Sequence, residues 1–213
     1  MAIDDLLDEH EQSERVRTWL RKNGAGILSG VILGVGAIAG WQWWQKEQVG
    51  KLAEANVRYE AVSRSLQSKK LDDAAKEVAA LESGKAGIYA DLASLELAKA
   101  QVEAGKNEDA IKTLRALKAE GEFKALIDQR VARLLIETGK ADEAIKLIGT
   151  ADDSASLEIR GDALIAQNKR DEAREVYTHA LAKLDVAAPQ RRLLETKLMD
   201  AGGTVADPAA EKI

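Results

Sequence analysis

Residues 105–114 read GKNEDAIKTL and residues 139–148 read GKADEAIKLI. Two further copies follow the same plan, Lys70-Leu71-Asp72-Asp73-Ala74 and Lys169-Arg170-Asp171-Glu172-Ala173, so that the four alanines stand 36, 34 and 29 residues apart. Glycine ends one helix, a basic residue follows, and a new helix opens with acids in its first turn, where the helix dipole favours negative charge. Apolar residues lie four and seven positions after the alanine, as in Val78 and Leu81 or Leu114 and Leu117. Twelve positions before it stand Val62, Ala98, Ala132 and Gly161. These are mostly small, as the close approach of two paired helices requires.

A helix-turn-helix unit recurring at about 34 residues is the signature of tetratricopeptide repeats, here without their large consensus aromatics. The expected fold is all-α, a tetratricopeptide-like solenoid over residues 45–201. The short last interval leaves Asp142–Ile148 only about two turns of helix before Gly149, with Asp152-Asp153-Ser154 able to cap the next. Pro189 suits the first position of a closing helix that runs to about Ala201, and Gly202-Gly203 stops it. A disordered tail is expected over residues 202–213, from Thr204 in particular.

On the N-terminal side, Gly24–Trp44 carries no charge for 21 residues. At ~1.5 Å rise per residue, a helix of that length spans the ~30 Å apolar core of a bilayer. Trp41, Trp43 and Trp44 crowd one end and Trp19 lies near the other, as amphipathic rings do at headgroup level. A cleaved signal peptide competes, with Ala37-Ile38-Ala39 as the processing site. Against it, the preceding 23 residues hold six acids, where a signal peptide should be short and basic. Gly34-Val35-Gly36 has no strand before it and its third glycine, Gly40, comes one residue late, so a dinucleotide-binding turn is discarded. Arg15, Arg17, Arg21 and Lys22 against Lys46, Lys51 and Arg58 place residues 1–23 in the cytoplasm and the domain outside, in the periplasm of a bacterium. Residues 3–22 look helical, an amphipathic lead-in to the span in preference to a docking helix. Gly26, Gly30 and Gly34 recur every fourth residue, a spacing that lets another membrane helix approach closely. The helix is expected to continue from Gln45 to Gln67, with a kink near Gly50.

Beyond Trp44, 27 basic residues stand against 30 acidic ones, which leaves no electrostatic footprint for nucleic acid. Cysteine is absent, so there is no disulfide, thiolate metal site or cysteine nucleophile. His10 and His179 fall on opposite sides of the membrane and cannot act together, and the paired acids are better read as helix caps. No enzyme, cofactor or small-molecule substrate is expected. A solenoid without chemistry binds polypeptides on its concave face, which the first helix of each pair supplies. That face would display Tyr59 and Ser63, then Leu92, Leu95 and Lys99, then Leu126, Gln129 and Arg133, then Glu158 and Asp162. For several of these, the leucines above all, packing between repeats is the alternative reading.

Arg17-Thr18-Trp19-Leu20-Arg21-Lys22-Asn23-Gly24, the span ending Gly40-Trp41-Gln42-Trp43-Trp44, and Tyr89–Ala98 resemble the YfgM-like family. Arg130-Val131-Ala132-Arg133-Leu134 and Arg160-Gly161-Asp162-Ala163-Leu164 extend the resemblance over nearly the whole chain. The family consists of ancillary subunits of the bacterial Sec translocon. The resemblance implies a single-pass inner-membrane protein with a periplasmic tetratricopeptide-like domain. It also implies association with the SecYEG channel and with a membrane-anchored periplasmic chaperone of the prolyl-isomerase type. The implied role is passing translocated client polypeptides to periplasmic chaperones, with a cytoplasmic regulatory role for the N-terminal segment also ascribed to the family. A scaffold for another cell-envelope complex is the alternative.

Overall fold

A computed structural model describes residues 2–84 and 86–205, with side chains from Ser13 onward. The described residues form helices only, in two compact units, Met1–Asn56 and Val57–Ile213.

The first unit is the greater part of α1, Ala2–Gln67. Among the described residues α1 contains the one helix long and apolar enough to cross a membrane. Its apolar side chains are exposed all round, Leu33 by 74% and Trp43 by 69%, a surface suited to lipid rather than water. Two polar side chains at the N-terminal part of the span find partners on their own helix. Ser29 Oγ donates to the Ala25 carbonyl at 2.8 Å, and Asn23 Nδ2 donates to that of Trp19 at 3.1 Å. Such internal bonding is what a hydrocarbon surround demands. The expected lead-in helix is present, although the side chains of residues 2–12 lie outside the described set. Gly50 is helical, with no break in α1 there.

In the second unit the last turns of α1 meet α2 (Leu71–Ser83) through Arg58 and Glu77, 3.5 Å apart, while α3 (Ile88–Glu103) pairs with α4 (Asn107–Ala116), α5 (Gly121–Glu137) with α6 (Ala141–Ile148), and α7 (Ser154–Ala166) with α8 (Arg170–Ala182). The closing helix α9 spans Arg191–Asp200. The second helix of every pair starts on the residue before the acids, and Ala74, Ala110, Ala144 and Ala173 are all fully buried. Opposite them Val62, Ala98, Ala132 and Gly161 are buried as well. Beside Gly161 there is no room for even a methyl group, since a Cβ there would stand 2.3 Å from Cε1 of Tyr177.

Each turn between paired helices has the same construction. The N–H of Lys70, Lys106, Lys140 and Lys169 bonds back to the carbonyl of Ser65, Gln101, Leu135 and Leu164, five residues earlier. The residue before each lysine takes a positive φ: Lys69, Gly105, Gly139 and Asn168. This is the glycine-type helix stop, used twice with a side chain in place of glycine. Gly202 and Gly203 repeat it a fifth time, with Gly203 N–H bonding to the Leu198 carbonyl. α9 therefore ends with the same turn as the first helix of each pair.

One apolar cluster is centred on α4 to α6 and another on α7 to α9, and Val62, Ala74, Val78, Leu81 and Leu97 are buried among the earlier helices. Two buried polar side chains bond across helices: Ser94 of α3 donates to Glu82 of α2 at 3.1 Å, and Gln101 of α3 accepts from Thr113 of α4 at 2.9 Å. Asp153 caps α7 by accepting from Ser156 N–H at 3.0 Å. Two expectations need correction. Pro189 is not the first residue of α9, which starts at Arg191 after Gln190. Pro189 sits in the preceding turn, between the bonds Ala188 N–H to Asp185 and Arg191 N–H to Ala188, where no N–H is asked of it. Order also runs past Ala201, because Val205 packs on the C-terminal cluster. The rest of the expected tail, residues 206–213, lies outside the described residues.

Candidate protein-interaction groove

First helices of successive pairs do not approach one another equally. α5 packs on α7, with no comparable packing of α3 on α5, and the space between those two is a groove of about 420 Å³. Its floor is apolar, built from Leu95, Ala98 and Val102 of α3, Leu114 of α4 and Leu134 of α5. Its rim is charged, with Lys99 and Glu103 on one side and Arg130, Arg133 and Glu137 on the other. The rim charges are loosely held. Lys99 lies 3.8 Å from Glu103 with both side chains mostly exposed, and Arg133 lies 3.9 Å from Glu158.

Of the residues expected to form a peptide-binding face, Leu95, Lys99 and Arg133 line this groove together. Leu92 and Leu126 lie on the same two helices, 42% and 44% exposed. The other five make helix-to-helix bonds. Tyr59 Oη donates to Glu96 at 2.5 Å, Ser63 donates to the second oxygen of that carboxylate at 3.1 Å, and the Tyr59 ring lies 5.9 Å from that of Tyr89. The bond to Glu96, helped by burial, raises the Tyr59 hydroxyl pKa. Gln129 donates to Asp153 and Ser156, at 3.1 and 3.0 Å, and so joins α5 to the start of α7.

Glu158 and Asp162 face the closing helix. Lys197 Nζ reaches Glu158 at 2.5 Å and Asp162 at 2.7 Å, and Tyr177 Oη donates to Asp162 at 2.7 Å. Burial alone would lower the Lys197 pKa, but its bonds to the two carboxylates outweigh that and raise it. Burial first, then the bond to Asp162, pushes the Tyr177 hydroxyl well up. The sequence reading missed Lys197 and Glu96, because neither lies near its partner in the chain. It also missed Val102, although its place in a helical row with Leu92 and Leu95 was there to be seen.

His179 is exposed, 3.5 Å from Asp152, which also bonds Lys183. The bond to Lys183 holds the Asp152 carboxyl below its ordinary range. Among the described residues no three His, Cys, Asp or Glu side chains are grouped to hold a metal. In the span, a Cβ at Gly26, Gly30 or Gly34 would meet nothing within 4 Å, so these positions are open to a neighbour.

A family model described as a tetratricopeptide repeat-like domain matches residues 17–203. The chain is 32% identical over 200 residues to the ancillary SecYEG translocon subunit of Escherichia coli (strain K12), covering 90% of this chain and 95% of that protein. It is 24% identical to the subunit of the same name from Aggregatibacter actinomycetemcomitans, covering 90% and 97%. Among solved structures, TPR-like repeats from Podosopora anserina superpose with a TM-score of 0.50 at 18% identity, covering 70% of this chain and 85% of that one, a likeness of fold alone. With its apolar N-terminal helix and its tetratricopeptide-like pairs, the chain belongs to the YfgM-like family of ancillary SecYEG translocon subunits.

Proposed function

We propose that this protein is a membrane-tethered adaptor at the Sec translocon, which helps pass translocated polypeptides to periplasmic chaperones. Residues 1–23 face the cytoplasm in this reading, 24–44 span the inner membrane, and the repeat domain works in the periplasm. Its partners are the SecYEG channel, a membrane-anchored chaperone of the prolyl-isomerase type, and client polypeptides. The glycine face at Gly26, Gly30 and Gly34 packs on a helix of the membrane partner.

One observation carries the reading: the groove between α3 and α5 joins an apolar floor to loosely paired charges of both signs. Such a surface accepts segments of varied sequence. Membership of a translocon-subunit family indicates where those segments come from.

A photo-crosslinker placed at Leu95 or Arg133 in intact cells tests it. Adducts with secretory polypeptides that vanish when translocation is blocked are the expected result. Adducts only with envelope proteins, unchanged by the block, would sink the adaptor reading and leave a scaffold for another complex. Protease added to spheroplasts tests the orientation, and survival of the repeat domain would reverse it.

A further inference from the structure

The helices on either side of the groove carry rows that begin before its lining, which on α3 starts at Leu95 and on α5 at Arg130. On α3, Ile88, Leu92, Leu95, Lys99 and Val102 follow at i, i+4, i+7, i+11 and i+14, the row by which a helix packs on another helix. Besides Lys99, three apolar members of this row are exposed, Ile88 by 68%, Leu92 by 42% and Val102 by 38%. On α5, Leu126, Arg130, Arg133 and Glu137 follow the same rule.

We propose that the groove receives one amphipathic α-helix of a protein partner, lying antiparallel to α3 and α5, in preference to an extended peptide. The inference rests on the polypeptide-binding reading above and narrows it to one conformation. An extended segment brings an N–H and a C=O per residue that need partners. The floor offers side chains of leucine, valine and alanine, with no amide or hydroxyl to meet them. A helix satisfies its own backbone and presents only side chains, so it loses nothing on an apolar floor. The α3 row is about 21 Å long at ~1.5 Å per residue, which fits a segment of about 15 residues.

Charge sets the direction. Glu103 and Glu137 close the groove at the end where α3 and α5 terminate, and Asn107 donates to Glu137 at 3.1 Å. The positive N-terminus of a docked helix belongs there, and basic residues in its first turn would meet the two carboxylates at a small cost against the helix's own dipole. Lys99, Arg130 and Arg133 lie further along and call for acids in its later turns.

Binding of labelled synthetic helices to the full chain in detergent micelles tests the proposal. The probe is a peptide of about 15 residues with leucines at i, i+4, i+7 and i+11, lysines in its first turn and glutamates later. Its control has the same composition with prolines in the middle. Binding at least about tenfold tighter than the control is expected, with a gain of helical circular dichroism. Val102→Glu should weaken it by about tenfold at an unchanged unfolding midpoint. Should that variant misfold, Lys99→Glu, at a position 78% exposed, should weaken the same probe. Equal binding of the proline peptide would overturn the helical conformation and leave polypeptide binding standing. Probe binding that ignores both groove variants would overturn the site. No saturable binding of either peptide, together with no crosslinks to secretory polypeptides, would remove both readings.

Discussion

Replacing Gly161 with alanine tests the closest approach in the fold. The added Cβ would lie 2.3 Å from Cε1, 2.6 Å from Cδ1 and 2.8 Å from Cζ of Tyr177. Ordinary carbon–carbon contact needs about 3.5 Å, so the ring must retreat by about 1.2 Å. Its freedom to do so is small. Tyr177 is 2% exposed, and its hydroxyl is bonded at 2.7 Å to Asp162, which is itself tied to Lys197. Overpacking of this kind costs ~1–3 kcal/mol. Against it, alanine is favoured over glycine inside a helix by ~1 kcal/mol. The net expectation is a loss of about 0–2 kcal/mol, or up to ~8 °C in melting temperature for a domain of this size. Thermal and urea unfolding of the full chain in detergent, followed by circular dichroism, would measure it. Repeating the change in a Tyr177→Leu background isolates the contact, because the smaller side chain leaves room and alanine should then stabilise by up to ~1 kcal/mol. Equal effects in the two backgrounds, or a rise in melting temperature for Gly161→Ala alone, would refute the reasoning.

Ala144→Leu should cost ~1–3 kcal/mol by overpacking a fully buried position, whereas Ala182→Leu on the exposed side of α8 should stay within ~0.5 kcal/mol; both read out as unfolding midpoints. Lys69→Gly relieves a positive φ of 56° and should stabilise by up to ~1 kcal/mol, while Gly105→Ala, at φ 72°, should destabilise by about as much. Lys197→Met removes the cation that Glu158 and Asp162 share, leaving Glu158 only Arg133 at 3.9 Å, and should cost ~1–3 kcal/mol at neutral pH. Because the folded pKa of Lys197 is raised above 10.5, the wild type's advantage is complete below that value and fades as pH climbs through the folded one, which melting curves at rising pH would follow. Gly30→Leu with Gly34→Leu should reduce co-purification with the membrane-embedded partner while insertion and domain melting stay unchanged; undiminished recovery would mean the glycine face makes no contact.

The starts of α2, α4, α6 and α8 were legible because a basic residue, acids and a buried alanine recur at the same spacing, each with a local physical reason. The apolar anchor was legible from its length and missing charge. The concave face was harder to read, since one row of side chains there serves both packing between repeats and exposure to solvent. Which role Tyr59 or Gln129 takes depends on Glu96 and Asp153, on helices elsewhere in the chain. Glu158 and Asp162 are held by Lys197, 39 and 35 positions away, and no local pattern announces that pairing. Pro189 illustrates a different difficulty. Its fixed φ suits a helix start and a turn alike, and only the bonds around it distinguish them.

The five helix stops of one construction have a consequence for how such a chain can change length over evolution. Gly105 and Gly139 occupy the same place in two copies of one turn, with matching φ values of 72° and 77° and the same bonds behind them. Removing residues 106–139 would therefore join α3 to α6 through a junction of unaltered geometry, and duplicating them would insert a whole unit just as smoothly. Recombination at these turns preserves the joint whatever it does to the number of pairs. Lineages could thus lengthen or shorten the concave surface without inventing a new connection.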